Sequence, residues 1–323
     1  MRLGTIAQHA NVGSGRINDH SIWLHHDYTN TGSLTTTTSD LSSGSLRILS
    51  CSDNGPHNAP SFVDTSLKSP FIRNTNTQNN LHSALSYETK DNDYGLNLKF
   101  TNPTEELSMR NFTATYVFDY HVANEAHDAV PPTTFGSTSQ PNQHDQTYLK
   151  LTGASGESGI AQYFAIELDV DALWYGVLIH TYRAIVVSND GTNSILKNVQ
   201  TGDICDYDQT WLRAGAGGDH NWKFNWITVV GNTDGSADMY IRGVKVASLS
   251  AGNFPDETIK PGAVSFVMND GFTGGNAANL KTYEYMIFNK ALTTQQLYDI
   301  DWYIAEKYNY RKGRAYGLSG CGD

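Results

Sequence analysis

Three carboxylates stand at every second position of one short run, Glu167-Leu168-Asp169-Val170-Asp171. An extended strand turns successive side chains to opposite faces. The spacing therefore predicts Glu167, Asp169 and Asp171 on one face and Ile166, Leu168 and Val170 on the other. Such a row has two chemical uses, acid–base work on a bound substrate or a cation-binding edge, and otherwise it simply faces water. Glu167 and Asp171 start roughly 13 Å apart along the backbone, so joint action requires their side chains to lean together. The short side chain of Asp171 makes that harder.

Other residues with chemical capacity lie in stretches that read as loops. Asp190, Asp203, Asp206, Asp208, Asp234 and Asp270 supply hard oxygen ligands of the kind that suits Ca²⁺ rather than zinc. They show no strict ligand spacing, and Asp-Gly is first of all a turn signal. Trp174, Tyr175, Tyr207, Trp211 and Phe272 fall near loop boundaries, where an aromatic ring can stack on the apolar C–H face of a sugar. Trp222 and Trp226, at strand spacing, are expected in the core. His25-His26-Asp27 carries metal-capable side chains without a third or fourth ligand at a telling distance and reads as a surface pair of histidines. Cys51, Cys205 and Cys321, odd in number and far apart, form neither a disulfide framework nor a zinc site. There is no Ser/His/Asp arrangement, no glycine-rich phosphate cradle and no HExxH.

The elements that must position these residues are mostly strands. Of 323 residues, 39% are hydrophobic and only 17% charged; Gly, Ser, Thr, Asn and Tyr fill the difference, as in a loop-rich β protein. The formal net charge is -11 with no long Lys/Arg run, which argues against nucleic acid as a partner. No apolar run approaches a membrane span, and the start, Met1-Arg2-Leu3-Gly4-Thr5, lacks the apolar region of a signal peptide, so no membrane insertion and synthesis in a cytoplasm are expected. Strand patterns run through Leu96–Phe100, Phe112–Phe118, Tyr148–Leu151, Tyr163–Val170, Trp174–His180, Ala184–Val187, Trp222–Val230, Met239–Ile241, Val244–Val246 and Gly262–Met268. In the closing strand, Tyr283, Tyr285 and Ile287 alternate with Glu284, Met286 and Phe288. Thr293 and Gln296 then have capping-box spacing, Leu292 and Leu297 that of a hydrophobic staple, and Leu297, Ile300, Ile304 and Tyr308 mark the apolar stripe of a helix over Thr293–Tyr310. The conspicuous aromatics here, Tyr283, Tyr285, Trp302, Tyr303 and Tyr308, are assigned to packing.

Three of these stretches together resemble the laminin-G-like branch of the concanavalin A-like lectin/glucanase jelly rolls: Trp222–Val230, the hairpin Ala237–Val246, and Tyr283–Tyr308 with Phe288-Asn289-Lys290-Ala291-Leu292 and Tyr303-Ile304-Ala305-Glu306-Lys307-Tyr308. Arg242 replaces the Asn usual in the family hairpin. The resemblance covers roughly residues 90–310. It implies an all-β, two-sheet antiparallel jelly-roll sandwich with a short C-terminal helix. Glycoside hydrolases on this jelly roll carry a Glu-x-Asp-x-Glu strand; that likeness implies Glu167 as nucleophile, Asp169 as its neighbour and Asp171 where the acid/base Glu belongs. A retaining pair needs carboxyl groups about 5–5.5 Å apart, and the shorter Asp171 departs from the pattern.

The expected organisation is an extended N-terminal docking segment over 1–82, a jelly-roll domain over 83–310 and a tail over 311–323. The expected function is a non-enzymatic virion structural protein, in a phage head decoration or a tail or fibre. It would dock on other capsid or tail proteins through the N-terminal segment and bind host-surface glycans, as a homo-oligomer or part of a larger assembly. A free carbohydrate-binding lectin-like protein is the first alternative and a glycoside hydrolase the second. No cofactor is required, with Ca²⁺ as the candidate ion.

Overall fold

Side chains that alternate between two covered faces, with tight turns between them, build antiparallel sheets. A computed structural model describes residues 22–38, 46–55, 61–63, 71–74, 82–86, 96–100, 106–121, 146–155, 161–174, 177–187, 193–197, 223–254, 256, 258–259, 265–268 and 279–308. The first strands are β1 (Ile22–Asp27), β2 (Leu34–Thr38), β3 (Leu46–Cys51), β4 (Ser61–Val63), β5 (Phe71–Asn74), β6 (His82–Ser86), β7 (Leu96–Phe100) and β8 (Leu107–Ser108). The middle of the chain forms β9 (Phe112–His121), β10 (Gln146–Ser155), β11 (Ala161–Trp174), β12 (Val177–Val187) and β13 (Asn193–Lys197). The last are β14 (Lys223–Gly231), β15 (Ala237–Ile241), β16 (Val244–Leu249), β17 (Thr258–Ile259), β18 (Ser265–Met268) and β19 (Asn279–Phe288), followed by helix α1 (Thr294–Lys307).

Every pairing among the described residues is antiparallel. One sheet runs β1-β19-β9-β14-β15-β16. The other runs β7-β18-β10-β11-β12-β13. The two are hydrogen-bonded to each other at one margin through β19-β6-β5-β3-β4-β7. The described part of the stretch expected as a docking segment thus lies in this chain's own sheets and stitches them together. The expected strand Trp174–His180 is divided. Trp174 pairs with Val177, so the chain reverses between them and β12 continues unbroken through Val187.

The inner faces meet in one core. Phe112, Ala114, Tyr116 and Phe118 of β9, Ile227 and Val229 of β14, and Tyr285 and Ile287 of β19 pack with Leu149, Leu151, Phe164, Ile166, Ala184 and Val186 of the opposite sheet. Tyr116 lies stacked between Phe118 and Tyr285, with ring centroids at 4.7 and 4.8 Å. The outer face of the first sheet is covered by α1. Val117, Trp226, Val230, Met286 and Phe288 receive Leu297, Ile300, Ile304 and Tyr308. This double cover explains why β19 is buried from Thr282 through Phe288. It also places Trp226 in the core, as its spacing indicated.

The entry to α1 is held by short-range chemistry. Thr293 accepts from the Gln296 backbone N–H while the Gln296 side chain accepts from Thr293 N–H, a complete capping box. Upstream, Thr113 Oγ1 donates to Lys290 O at 2.9 Å and accepts from Leu292 N at 3.0 Å, and Asn111 Oδ1 accepts from Ala291 N at 2.9 Å. Thr293→Ala leaves that anchorage in place and removes one cap, so it is expected to lower stability by about 1 kcal/mol in urea unfolding. A loss well above that value is the outcome that contradicts a purely local role. Trp302 departs from expectation. It lies on the side of the helix away from Ile300 and Ile304 and is 41% exposed.

Candidate functional site

The densest grouping of ionisable side chains among the described residues lies where β1 and β19 pair beneath the last turn of α1. In this ladder Asp27 stands directly opposite Glu284, and His25 opposite Met286. Like charges opposite each other across a ladder repel. Lys307, in the last turn of α1, sits between them. Its Nζ donates to Asp27 Oδ2 at 2.7 Å and to Glu284 Oε2 at 3.0 Å.

A bulge aims the carboxylate. The β19–β9 register slips between Thr282 and Glu284, inserting Tyr283 as an extra residue. Simple alternation puts Tyr283 in the inner core beside Tyr285. With the slip, Thr282 faces inward, bonded to the Tyr116 hydroxyl at 2.9 Å, and Tyr283 joins the helix side against Tyr308. Glu284 follows on that same side with no exposed surface.

All acceptor capacity of Glu284 is used. Oε1 accepts from His25 Nε2 at 2.5 Å and from the Tyr303 hydroxyl at 2.6 Å; Oε2 accepts from Lys307 and from the Tyr308 hydroxyl at 2.9 Å. The carboxylate needs a donor at His25 Nε2, which sets the proton on that nitrogen. Lys307 completes its three donors with the Tyr303 oxygen at 3.1 Å. Asp27 Oδ1 accepts from the Thr29 backbone N–H at 2.9 Å and hydroxyl at 2.6 Å.

Burial pushes the Glu284 carboxyl up, but the Lys307 charge and the His25 and Tyr303 hydrogen bonds outweigh it and hold the group well below the usual carboxylate range. Burial works against the charged form of Lys307 too, and the carboxylates of Glu284 and Asp27 reverse that, lifting it well above an ordinary lysine. Burial first, then Glu284, drives the Tyr303 and Tyr308 phenols up, keeping them as donors. Ionised Glu284 with four donors has no oxygen lone pair left for a substrate or metal. The arrangement is a lock that fastens α1 to the sheet.

This corrects the reading of His25-His26 as a surface pair. Only 8% of His25 is exposed, and His26 is fully buried. Period-two alternation on β1 sends His25 and Asp27 toward the helix and His26 into the core, where its ring meets Tyr28 edge-on at 6.4 Å. The outer edge of β1 is covered by the stretch after β3. Asp53 Oδ1 accepts from His25 N at 2.9 Å, and Asn54 N donates to His25 O at 2.8 Å.

Glu167, Asp169, Asp171 and Trp174 all lie on β11, which pairs on both sides, with β10 and β12. Glu167 is opposite Arg183 and Asp169 opposite Thr181, but the register slips between Val170 and Ala172. The β11–β12 ladder is therefore irregular at Asp171, within the run that carries the three carboxylates. Asp234 lies in the β14–β15 turn, where Oδ1 accepts from the Ser236 backbone N–H at 2.8 Å and hydroxyl at 2.7 Å. These bonds, the hydroxyl's first, lower its pKa. Tyr175, Asp190, Asp203, Asp206, Tyr207, Asp208, Trp211, Asp270 and Phe272 lie outside the described residues. No group of three or more metal-capable side chains placed to hold an ion occurs among the described residues. Sequence reasoning missed Glu284 and Lys307. The available signal was one carboxylate in the run Tyr283–Phe288, otherwise made of Tyr, Met, Ile and Phe.

No family model matches the chain. The comparison with curated proteins likewise gives no match. The fold does have solved neighbours. It is similar to the binding domain of Paraclostridial Mosquitocidal Protein 1, with a TM-score of 0.53 and 12% identity over 88% of this chain and 52% of that one. It is also similar to the botulinum neurotoxin serotype G binding domain, with a TM-score of 0.51 and 12% identity over 87% of this chain and 50% of that one. The chain therefore spans about half the length of the structures it matches. At this identity the likeness is one of fold, a β-sandwich of lectin-like architecture, and both neighbours are binding domains.

Proposed function

We propose that this chain is a non-catalytic, lectin-like binding module whose ligands are cell-surface glycans, displayed on a virion as part of its head or tail. The observation that carries the binding role is the division of labour in the fold. The organised ionisable chemistry among the described residues is spent on locking α1 to the sheet, which leaves recognition to exposed side chains and loops. That the fold neighbours are binding domains of larger proteins supports the same reading. The hairpin Ala237–Val246 and the closing β19–α1 unit favour the laminin-G-like branch among lectin-like sandwiches. The virion placement rests on the acidic charge of -11, suited to an outward-facing surface.

An array of neutral, N-acetylated, sialylated and sulfated oligosaccharides, probed with the whole chain with and without Ca²⁺, tests the ligand class. Selective retention of a glycan subset without cleavage is the expected result. A blank array under both conditions removes the glycan role, and turnover of an array sugar that is lost in Glu167→Gln replaces it with hydrolysis. For the placement, a monodisperse monomer with no affinity for other virion proteins is the contrary result.

A further inference from the structure

Helix α1 turns a second stripe away from the sheet. Gln295, Tyr298, Trp302 and Glu306 follow one another at steps of three or four along one side, and Asp299 lies four residues after Gln295 and three before Trp302. Tyr298 is 46% and Trp302 41% exposed, which is unusual for rings of this size on a helix already anchored elsewhere. The two rings meet edge to face, with centroids 6.0 Å apart and planes at 75°, so each limits the rotation of the other. Gln295 Nε2 donates to Asp299 Oδ1 at 3.3 Å, setting an amide and a carboxylate on the same flank.

The backbone beneath is fixed at both ends, by the capping box at Thr293 and by Lys307 at the other terminus. Between them the Trp226 indole donates to Asp301 Oδ1 at 2.8 Å. A held aromatic face edged by an amide and carboxylates has the two parts that a pyranose requires. Its axial C–H bonds stack on the ring, and its hydroxyls exchange hydrogen bonds with planar polar groups. The charge narrows the class. Glu306, one turn beyond Trp302, sets an exposed carboxylate at the platform's edge, which disfavours sialylated, sulfated and uronic sugars.

We infer that the Tyr298–Trp302 stripe of α1 is a subsite for uncharged pyranosides, with Trp302 as the stacking platform and Gln295 and Asp299 as hydroxyl partners. The inference rests on the glycan reading above and gives it an address. Neutral and N-acetylated oligosaccharides that bind in the array serve as probes in fluorescence and calorimetric titration of the whole chain. Trp302→Ala is expected to weaken binding about tenfold or more, a difference near 1.4 kcal/mol. Trp302→Phe, which keeps a ring, is expected to lose less, and melting temperature is expected to stay unchanged in both. Sialylated and sulfated probes should bind more weakly than neutral ones, and Asp299→Lys should narrow that gap.

Two failures are distinguishable, and each overturns the assignment. If the unaltered chain binds no glycan, the reading beneath it falls as well. If it binds and Trp302→Ala binds equally, the glycan role stands and the site lies elsewhere. Unchanged titration together with a lowered sedimentation coefficient for Trp302→Ala identifies the stripe as a surface for self-association.

Discussion

Lys307→Met is expected to destabilise the protein by about 3–5 kcal/mol at neutral pH, the range found when one member of a buried ion pair is removed and its partner is left in place. Methionine preserves the length of the stem and deletes only the charge and its three donors. Asp27 and Glu284 then face each other across the β1–β19 ladder without the cation between them. Tyr303 and Tyr308 still donate to Glu284, so its oxygens are not orphaned, but their neutral hydroxyls do not offset two like charges. Because Lys307 is also the last residue of α1, loosening is expected to start there. Amide exchange should rise first at the C-terminal turn and along β1.

The pH dependence separates this account from a simple loss of packing. Against the upward push of burial, the Lys307 charge and the His25 and Tyr303 hydrogen bonds hold the Glu284 carboxyl far below the ordinary glutamate range in the folded protein. A depressed carboxyl contributes stability that is fully present above the unfolded pKa and is lost as pH falls through the folded one. The unaltered protein should therefore lose stability steadily below about pH 4.5, with the unfolded chain taking up the proton first. In Lys307→Met the largest favourable charge on Glu284 is gone and its folded pKa moves up. The difference between the two proteins should then be greatest near neutrality and shrink in mild acid. Urea titrations at pH 7 and pH 4 measure it, and a difference that stays constant with pH points to lost side-chain packing alone.

What was legible in the chain follows the range of the interactions. The capping box at Thr293 and Gln296, the helix stripe and the β15–β16 hairpin depend on neighbours within a few residues, and their spacing located each of them. The all-β antiparallel architecture with one closing helix was legible because alternation repeated through so many segments. The polar lock was not, since His25 and Glu284 are 259 residues apart and nothing local announces that they meet. The bulges at Tyr283 and at Asp171 were invisible for a related reason. Period-two reading assumes an unbroken ladder, and only the partner strand shows where a residue is extra. Trp302 is a different case. Its position, two residues from both Ile300 and Ile304, already pointed away from the buried stripe, and its aromatic character masked that geometry. As for the candidate site residues, a turn aspartate such as Asp234 spends its oxygens on its own loop, which spacing alone does not distinguish from readiness for an ion.

The second large effect is expected at Gly243. The β15–β16 turn places Arg242 at φ 51° and Gly243 at φ 79°, a two-residue turn whose left-handed backbone matches the twist of the flanking strands. Replacing Gly243 by alanine costs about 1–2 kcal/mol for the backbone conformation alone. The added Cβ also collides with the carboxylate of Asp301, one oxygen directly and Cγ at 2.8 Å. Asp301 cannot step aside cheaply, because it is buried in α1 and accepts from the Trp226 indole at 2.8 Å. Arg242 N is bonded to Trp226 O at 3.0 Å, so the turn cannot retreat either. Overpacking of this kind adds about 1–3 kcal/mol, and the strain should be relieved by lifting α1 from the sheet. Gly252→Ala supplies the control, since Gly252 shares the backbone conformation at φ 80° and has nothing within 4 Å of the added Cβ. Its loss should match the backbone part alone. In an Asp301→Ala background the colliding atoms are gone, and Gly243→Ala should fall to the Gly252→Ala value, a non-additivity that a double-mutant cycle reads directly. Equal losses for Gly243→Ala and Gly252→Ala in the unaltered protein would show that the turn's contact with α1 contributes nothing, and would leave the helix fastened by the Glu284–Lys307 lock, the Trp226–Asp301 hydrogen bond and its apolar stripe.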